Sequence, residues 1–199
     1  MKTRSRNFGL ASGATSTLRT ILNKFLPYPT NRGMQIRFTG AVAQWIGGRE
    51  IKDILPETNI GPLADFQFND MCRLQTRWKA NLEVLNPAEG LLQLKVPAFT
   101  PLKSIMARKD TVSVTLQVSV AAVDLVTGIA GKDFSIGIEI SYDDAETGPY
   151  LVDMPVNMER GTLIVTACSL QYNVKEKGKI VISDDPLYLP AAVVEGRYC

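Results

Sequence analysis

The spacing of apolar residues changes once along this chain, and that change constrains the fold more than any other feature. Up to Ile46 they recur every three or four positions, and from Phe66 onward every two. Leu18, Ile21, Leu22, Phe25 and Leu26 fall on one helical stripe, with Thr15, Ser16 or Thr17 as candidate N-caps. Pro27-Tyr28-Pro29 is expected to end that helix. Met34, Phe38, Ala41, Val42, Trp45 and Ile46 mark a second helix over 32–46, closed by Gly47-Gly48. The short connection predicts an antiparallel hairpin. Two such helices cover only one side of each other, so their stripes need a further surface, on this chain or on a copy of it.

The second half predicts strands at 66–69, 76–85, 90–97, 111–124, 134–142, 150–155, 162–173, 179–183 and 188–195. Residues 86–90 and 176–178 read as hairpin loops. Val112, Val114, Leu116, Val118 and Val120 alternate with Ser113, Thr115, Gln117 and Ser119, as a half-buried strand does. The expectation is an α+β chain: an N-terminal helical hairpin, then an antiparallel immunoglobulin-like β-sandwich. No Cys-Trp-Cys pattern of true immunoglobulin domains is present. The expected divisions are a basic arm at 1–14, the helical hairpin at 15–48, a Gly- and Pro-containing linker at 49–65 and the sandwich at 66–199.

Composition excludes several chemistries. There is no histidine, which removes Ser-His-Asp and Cys-His catalysis, histidine metal cages and histidine pH switches. The three cysteines, Cys72, Cys168 and Cys199, show no metal-like spacing, although Cys199 leaves an intermolecular disulfide open. Asp143, Asp144 and Glu146, and the pair Asp184-Asp185, lack the order of a calcium loop and read as turns. Gly128-Ile129-Ala130-Gly131-Lys132-Asp133 lacks the spacing of a phosphate loop. The expectation is a protein that is not an enzyme and takes no metal or cofactor. Arg19 and Lys24 interrupt the only candidate apolar core of a secretory signal, and no stretch reads as a membrane span. Cytoplasmic synthesis follows as an expectation, with release as an extracellular assembly or particle left open.

Short matches run along the chain. Asn7-Phe8-Gly9-Leu10-Ala11-Ser12, Leu18-Arg19-Thr20-Ile21-Leu22 and Arg37-Phe38-Thr39-Gly40-Ala41-Val42 come first. Phe66-Gln67-Phe68-Asn69, Val96-Pro97-Ala98-Phe99-Thr100-Pro101 and 119–124 follow. Together they make the chain resemble a family of uncharacterised Bacteroidetes proteins. Residues 188–194 match the family's final strand only loosely. The resemblance implies an origin and an architecture, a helical opening followed by a strand-rich half, and no particular reaction.

Charge is distributed unevenly. Residues 1–50 carry eight basic side chains against one acid, Glu50, whereas the remaining 149 carry 14 basic and 19 acidic ones. Opposite fields at the two ends suit head-to-tail contact between copies. The basic residues are scattered among apolar ones, so nucleic acid is not the expected partner. The leading expectation is a structural subunit that self-assembles into a filament, tube or phage-like particle. Arg4, Arg6 and Phe8 are candidate arm contacts, and Leu18, Ile21, Leu22, Phe25, Phe38, Val42 and Trp45 a candidate helical interface. For the helical set, a core within the chain is the competing reading. The alternative function is a glycan- or protein-binding sandwich module with a cell-surface partner, for which Tyr142, Tyr150, Tyr172, Tyr188, Tyr198, Trp45 and Trp78 could form a stacking platform.

Overall fold

In the computed structural model the described residues are 2–27 and 31–199, with side chains described from Ser5. Helices α1 (Lys2–Leu22) and α2 (Arg32–Ile46) come first. Among the described residues nine strands follow: β1 (Glu57–Thr58), β2 (Glu83–Ala88), β3 (Leu91–Val96), β4 (Thr111–Asp124), β5 (Phe134–Ser141), β6 (Tyr150–Pro155), β7 (Thr162–Glu176), β8 (Lys179–Ile182) and β9 (Ala191–Tyr198). Single helical turns α3 (Leu74–Arg77) and α4 (Pro101–Ser104) interrupt them. The fold is α+β, with N-terminal helices and antiparallel sheets. One sheet has the order β1-β9-β7-β4-β5, with β8 pairing the far end of β7, and the other has the order β2-β3-β6.

The larger sheet is covered on both faces. Val114, Leu116, Val118 and Val120 of β4 and Cys168, Leu170 and Tyr172 of β7 meet Leu92, Leu94, Val152 and Met154 of the smaller sheet. On the opposite face, Ala121 and Val123 of β4 and Leu163, Val165 and Ala167 of β7 meet Leu18, Leu22, Phe38 and Val42 of the helices. Double coverage explains why 118–123 and 162–170 are buried without a break. Beyond the helices' reach the same strands present Thr115, Gln117, Gln171 and Asn173, and the alternation read from the sequence returns. Val112 departs from it: a register shift between Thr111 and Ser113 leaves it 41% exposed.

Several expectations are corrected. Residues 2–14 belong to α1 and do not form an extended arm. Thr15 cannot cap a helix that starts at Lys2; its hydroxyl donates back to the Ala11 carbonyl (2.7 Å) and lies 2.9 Å from the Thr39 hydroxyl of α2. Packing overrides the low helix propensity of Gly9 and Gly13, because Asn7, Ala11 and Ala14 are buried on the inner face. The helix ends at Leu22, ahead of Pro27; Tyr28 and Pro29 lie outside the described residues. The boundaries of α2 match the prediction, with Gly47 at φ 59° closing it and Asn31 capping the Met34 amide at 2.8 Å.

Residues 49–65 are no free linker. Ile54, Ile60 and Leu63 are buried beneath the helices, and β1 pairs with β9. A Cβ on Gly196 would lie 3.1 Å from Leu63, so that close crossing depends on glycine. The expected strand at 66–69 reduces to one bridge, Gln67 with Ala192, and its Phe66 and Phe68 turn onto Phe38 at ring distances of 5.1 and 5.6 Å. The expected strand at 76–85 starts only at Glu83, because Trp78 turns inward against Phe99 at 5.0 Å.

Phe38 is 1% exposed and touches both Phe66 and Phe68. Phe38→Ala is expected to cost about 3–5 kcal/mol in urea unfolding. Because the helices share a sheet with the sandwich, loss should occur in one transition, with far-UV dichroism and tyrosine fluorescence changing together.

Candidate functional site

The residues singled out for assembly separate into two groups. Leu18, Leu22, Phe38 and Val42 are 0–1% exposed, Trp45 4% and Ile21 6%, all against the chain's own core; Phe25 is half-buried. Trp45 donates to Glu57 at 2.9 Å and meets Tyr198 edge-on at 5.3 Å. The helical interface is therefore corrected to an intrachain contact, because the large sheet presents an apolar face that the stripe covers. The side chain of Arg4 lies outside the described residues. Arg6 is exposed, and Phe8 is 56% exposed.

Part of the charge asymmetry is also satisfied internally. Arg37 pairs with Asp70 at 2.6 Å, Lys24 with Asp133 at 3.4 Å and Arg49 with Glu57 at 3.9 Å. These pairs are exposed and add little stability, but they use cations that a neighbour's acids would otherwise meet.

Exposed apolar residues are spread over the described surface, Leu55, Met71, Ile129 and Leu151 among them, and at two places they border a groove or an unpaired strand edge. The first lies on the helical layer, where the side-chain amide of Asn7 donates to the carbonyls of Gly47 and Arg49 and fixes α1 antiparallel to α2. Phe8 borders a shallow groove of about 450 Å³ there, with Gly40, Ala43 and Gln44 along its floor and wall. Ile36 adds exposed apolar surface on α2. Beside this layer, Arg6, Lys52 and Arg160 line an open cavity of about 500 Å³ with Glu50 and Tyr198. Glu50 pairs with Lys52 at 3.1 Å.

The second surface is the β7–β8 hairpin. Lys177 and Gly178, at φ 48° and 81°, form its two-residue turn. All four residues of β8 are exposed, with Ile180 at 64%, Val181 at 36% and Ile182 at 59%. Three consecutive β-branched apolar residues between Lys179 and Ser183-Asp184-Asp185 are a sequence signal that a search for alternation passes over.

Other candidate groups are dispersed. Trp45, Trp78, Tyr172 and Tyr198 are buried, so they offer no stacking platform. The Tyr172 hydroxyl donates to the Met106 carbonyl at 3.3 Å, and burial raises its pKa. The Asp143 carboxylate accepts from the Ala145 amide at 3.0 Å and that of Asp185 from Leu187 at 2.9 Å, as turn carboxylates do. Among the described residues, no three His, Cys, Asp or Glu side chains converge, and no helix is long and apolar enough to cross a membrane. Comparison with protein-family models, curated proteins and solved structures finds no match.

The cysteines are all free; Cys72 and Cys168 are buried and Cys199 is partly exposed. Burial pushes the Cys168 thiol up to about 12, and burial raises Cys199 more modestly against the opposing Arg197. At pH 8 the Cys168 thiol is protonated and enclosed. A disulfide reagent is expected to label only Cys199 in the native protein, slowly, and all three thiols after denaturation. Mass spectrometry of the labelled protein reads the count.

Proposed function

We propose that this chain is a non-enzymatic structural subunit that associates with copies of itself to build a filament, tube or particle. The observation that carries the reading is that intrachain packing leaves an apolar groove at Phe8 and the apolar strand β8 exposed at separate places. The groove at Phe8 adjoins the cavity that includes Arg160 and Gly161, at the start of β7. The hairpin strand β8 pairs the other end of β7, at 173–176. At about 3.3 Å per residue, roughly 40 Å of strand lies between them. Contacts at two distant surfaces let each added copy present a fresh one, so growth need not stop at a dimer.

The immunoglobulin-like description of the sandwich belongs to this reading. Two facing antiparallel sheets with a shared apolar core support it. Shared ancestry with the Bacteroidetes family that the chain resembles is part of the same proposal, supported by the motifs in its helices and strands.

Sedimentation velocity over a range of concentration and salt, with negative-stain imaging, tests the reading. Species larger than a dimer are expected, growing with concentration. The double variant Arg6→Glu, Phe8→Ala should remove the largest species while leaving the thermal midpoint within a few degrees, since both side chains are exposed. A wild-type protein that stays monomeric at every concentration and salt overturns the proposal.

A further inference from the structure

We propose that β8 is a dimerisation strand: two copies pair their β8 strands antiparallel about a twofold axis at Val181, joining their large sheets edge to edge. The proposal rests on the self-association reading and names the contact at one of its surfaces.

The register follows from the hairpin's hydrogen-bond parity. The two-residue turn makes Glu176 and Lys179 a closing pair, and the ladder continues through Lys175 with Ile180, Val174 with Val181 and Asn173 with Ile182. In an antiparallel ladder, hydrogen-bonded and non-bonded pairs alternate. The Ser183 amide donates to the Tyr172 carbonyl at 2.8 Å, which sets the same parity from the other end. Residues 179, 181 and 183 therefore direct their backbone groups at β7. Ile180 and Ile182 direct theirs outward, and among the described residues no backbone group meets them there.

An antiparallel partner must present outward-directed residues to outward-directed residues. Centring the axis on Val181 sets Ile180 against the partner's Ile182 and Ile182 against the partner's Ile180, which makes four backbone hydrogen bonds. The exposed isoleucines then form one cross-strand cluster, and the two Val181 residues face each other on the opposite side of the joined sheet.

Charge selects the same partner and direction. Around Val181 the segment is antisymmetric, with Lys177 and Lys179 on one side and Asp184 and Asp185 on the other. The twofold brings the turn end of one hairpin, with Lys177 and Lys179, toward the end of the partner strand that carries Asp184 and Asp185. Lys175 and Glu176 lie further back in β7, and Arg108 already holds Glu176 at 3.7 Å and Asp110 at 2.8 Å. A parallel pairing would set lysines beside lysines and aspartates beside aspartates. A strand whose charges complement its own reverse fits a second copy of this chain better than an unrelated peptide. Natural proteins usually blunt exposed edges of this kind with inward charges or bulges, and β8 has neither along its three apolar positions.

Variants in a Cys199→Ser background test it by sedimentation velocity and oxidative cross-linking. In the proposed register the two Val181 Cα atoms form a non-hydrogen-bonded pair about 4.5 Å apart, within the range of about 4.4–6.8 Å that a disulfide accepts. Val181→Cys should give a covalent dimer with oxidised glutathione as oxidant. Lys179→Cys, whose two copies would lie roughly 13 Å apart, should not. Ile180→Pro removes an outward donor and leaves the β7 ladder intact. It should weaken the dimer on the order of a hundredfold, with its thermal midpoint kept. If Ile180→Pro does not fold, Lys177→Glu reads the same contact from the turn, expected to weaken association most at low salt. Larger species that persist with Ile180→Pro, and with no Val181→Cys cross-link, overturn the inference and leave self-association standing. A monomeric wild type overturns both.

Discussion

The two longest strands, β4 and β7, pair over thirteen residue pairs from Thr111 with Val174 to Asp124 with Thr162, and every other layer is placed by that ladder. Its backbone groups satisfy one another, so side chains on both faces can be withdrawn from water at no cost in unpaired amides. The smaller sheet closes one face and the helices close part of the other. Remove the ladder, and neither the helical stripe nor the β2-β3-β6 sheet has a surface to cover.

That dependence explains why the helical stripe belongs to the interior. The stripe needs an apolar partner wherever it finds one, and β4 and β7 offer Ala121, Val123, Leu163 and Val165 within the same chain. Even across a long intervening segment, a partner on the same chain costs less entropy than a second molecule does. The segment at 49–65 completes the seal: Ile54, Ile60 and Leu63 fill the seam, and β1 anchors it to β9. What the molecule leaves open is therefore informative. The outer helical face keeps Phe8, and the strand that extends past β9's partnership with β7 keeps Ile180 and Ile182.

Much of the architecture was legible in the sequence because it is written in local periodicity. The bounds of α2, β4 and β6 follow from apolar spacing and from Gly47, and the 176–178 hairpin from its glycine. The start of α1 was not legible, because Gly9, Ser12 and Gly13 read as an arm until Asn7, Ala11 and Ala14 are seen packed inward. Trp78 departs from its local pattern for a similar reason: β propensity favours a strand there, and the core between the sheets draws the ring inward. Of the candidate contacts, Arg6 and Phe8 keep exposed side chains, whereas the exposure of β8 is not legible from its apolar run, which suits a buried strand equally well.

Local spacing of 3.6 or 2 carries most of the elements and their order, since it is a property of neighbouring residues. The absence of histidine chemistry is likewise legible in the sequence, as a matter of composition. Which apolar residues face inward depends instead on the three-dimensional packing. Leu18 and Ile180 are equally apolar in the chain, yet one lies under a sheet and the other on an unpaired edge. The difference comes from long-range pairing, from which strand lies next to β7 and how far the helices reach along it, and no local pattern encodes that distance.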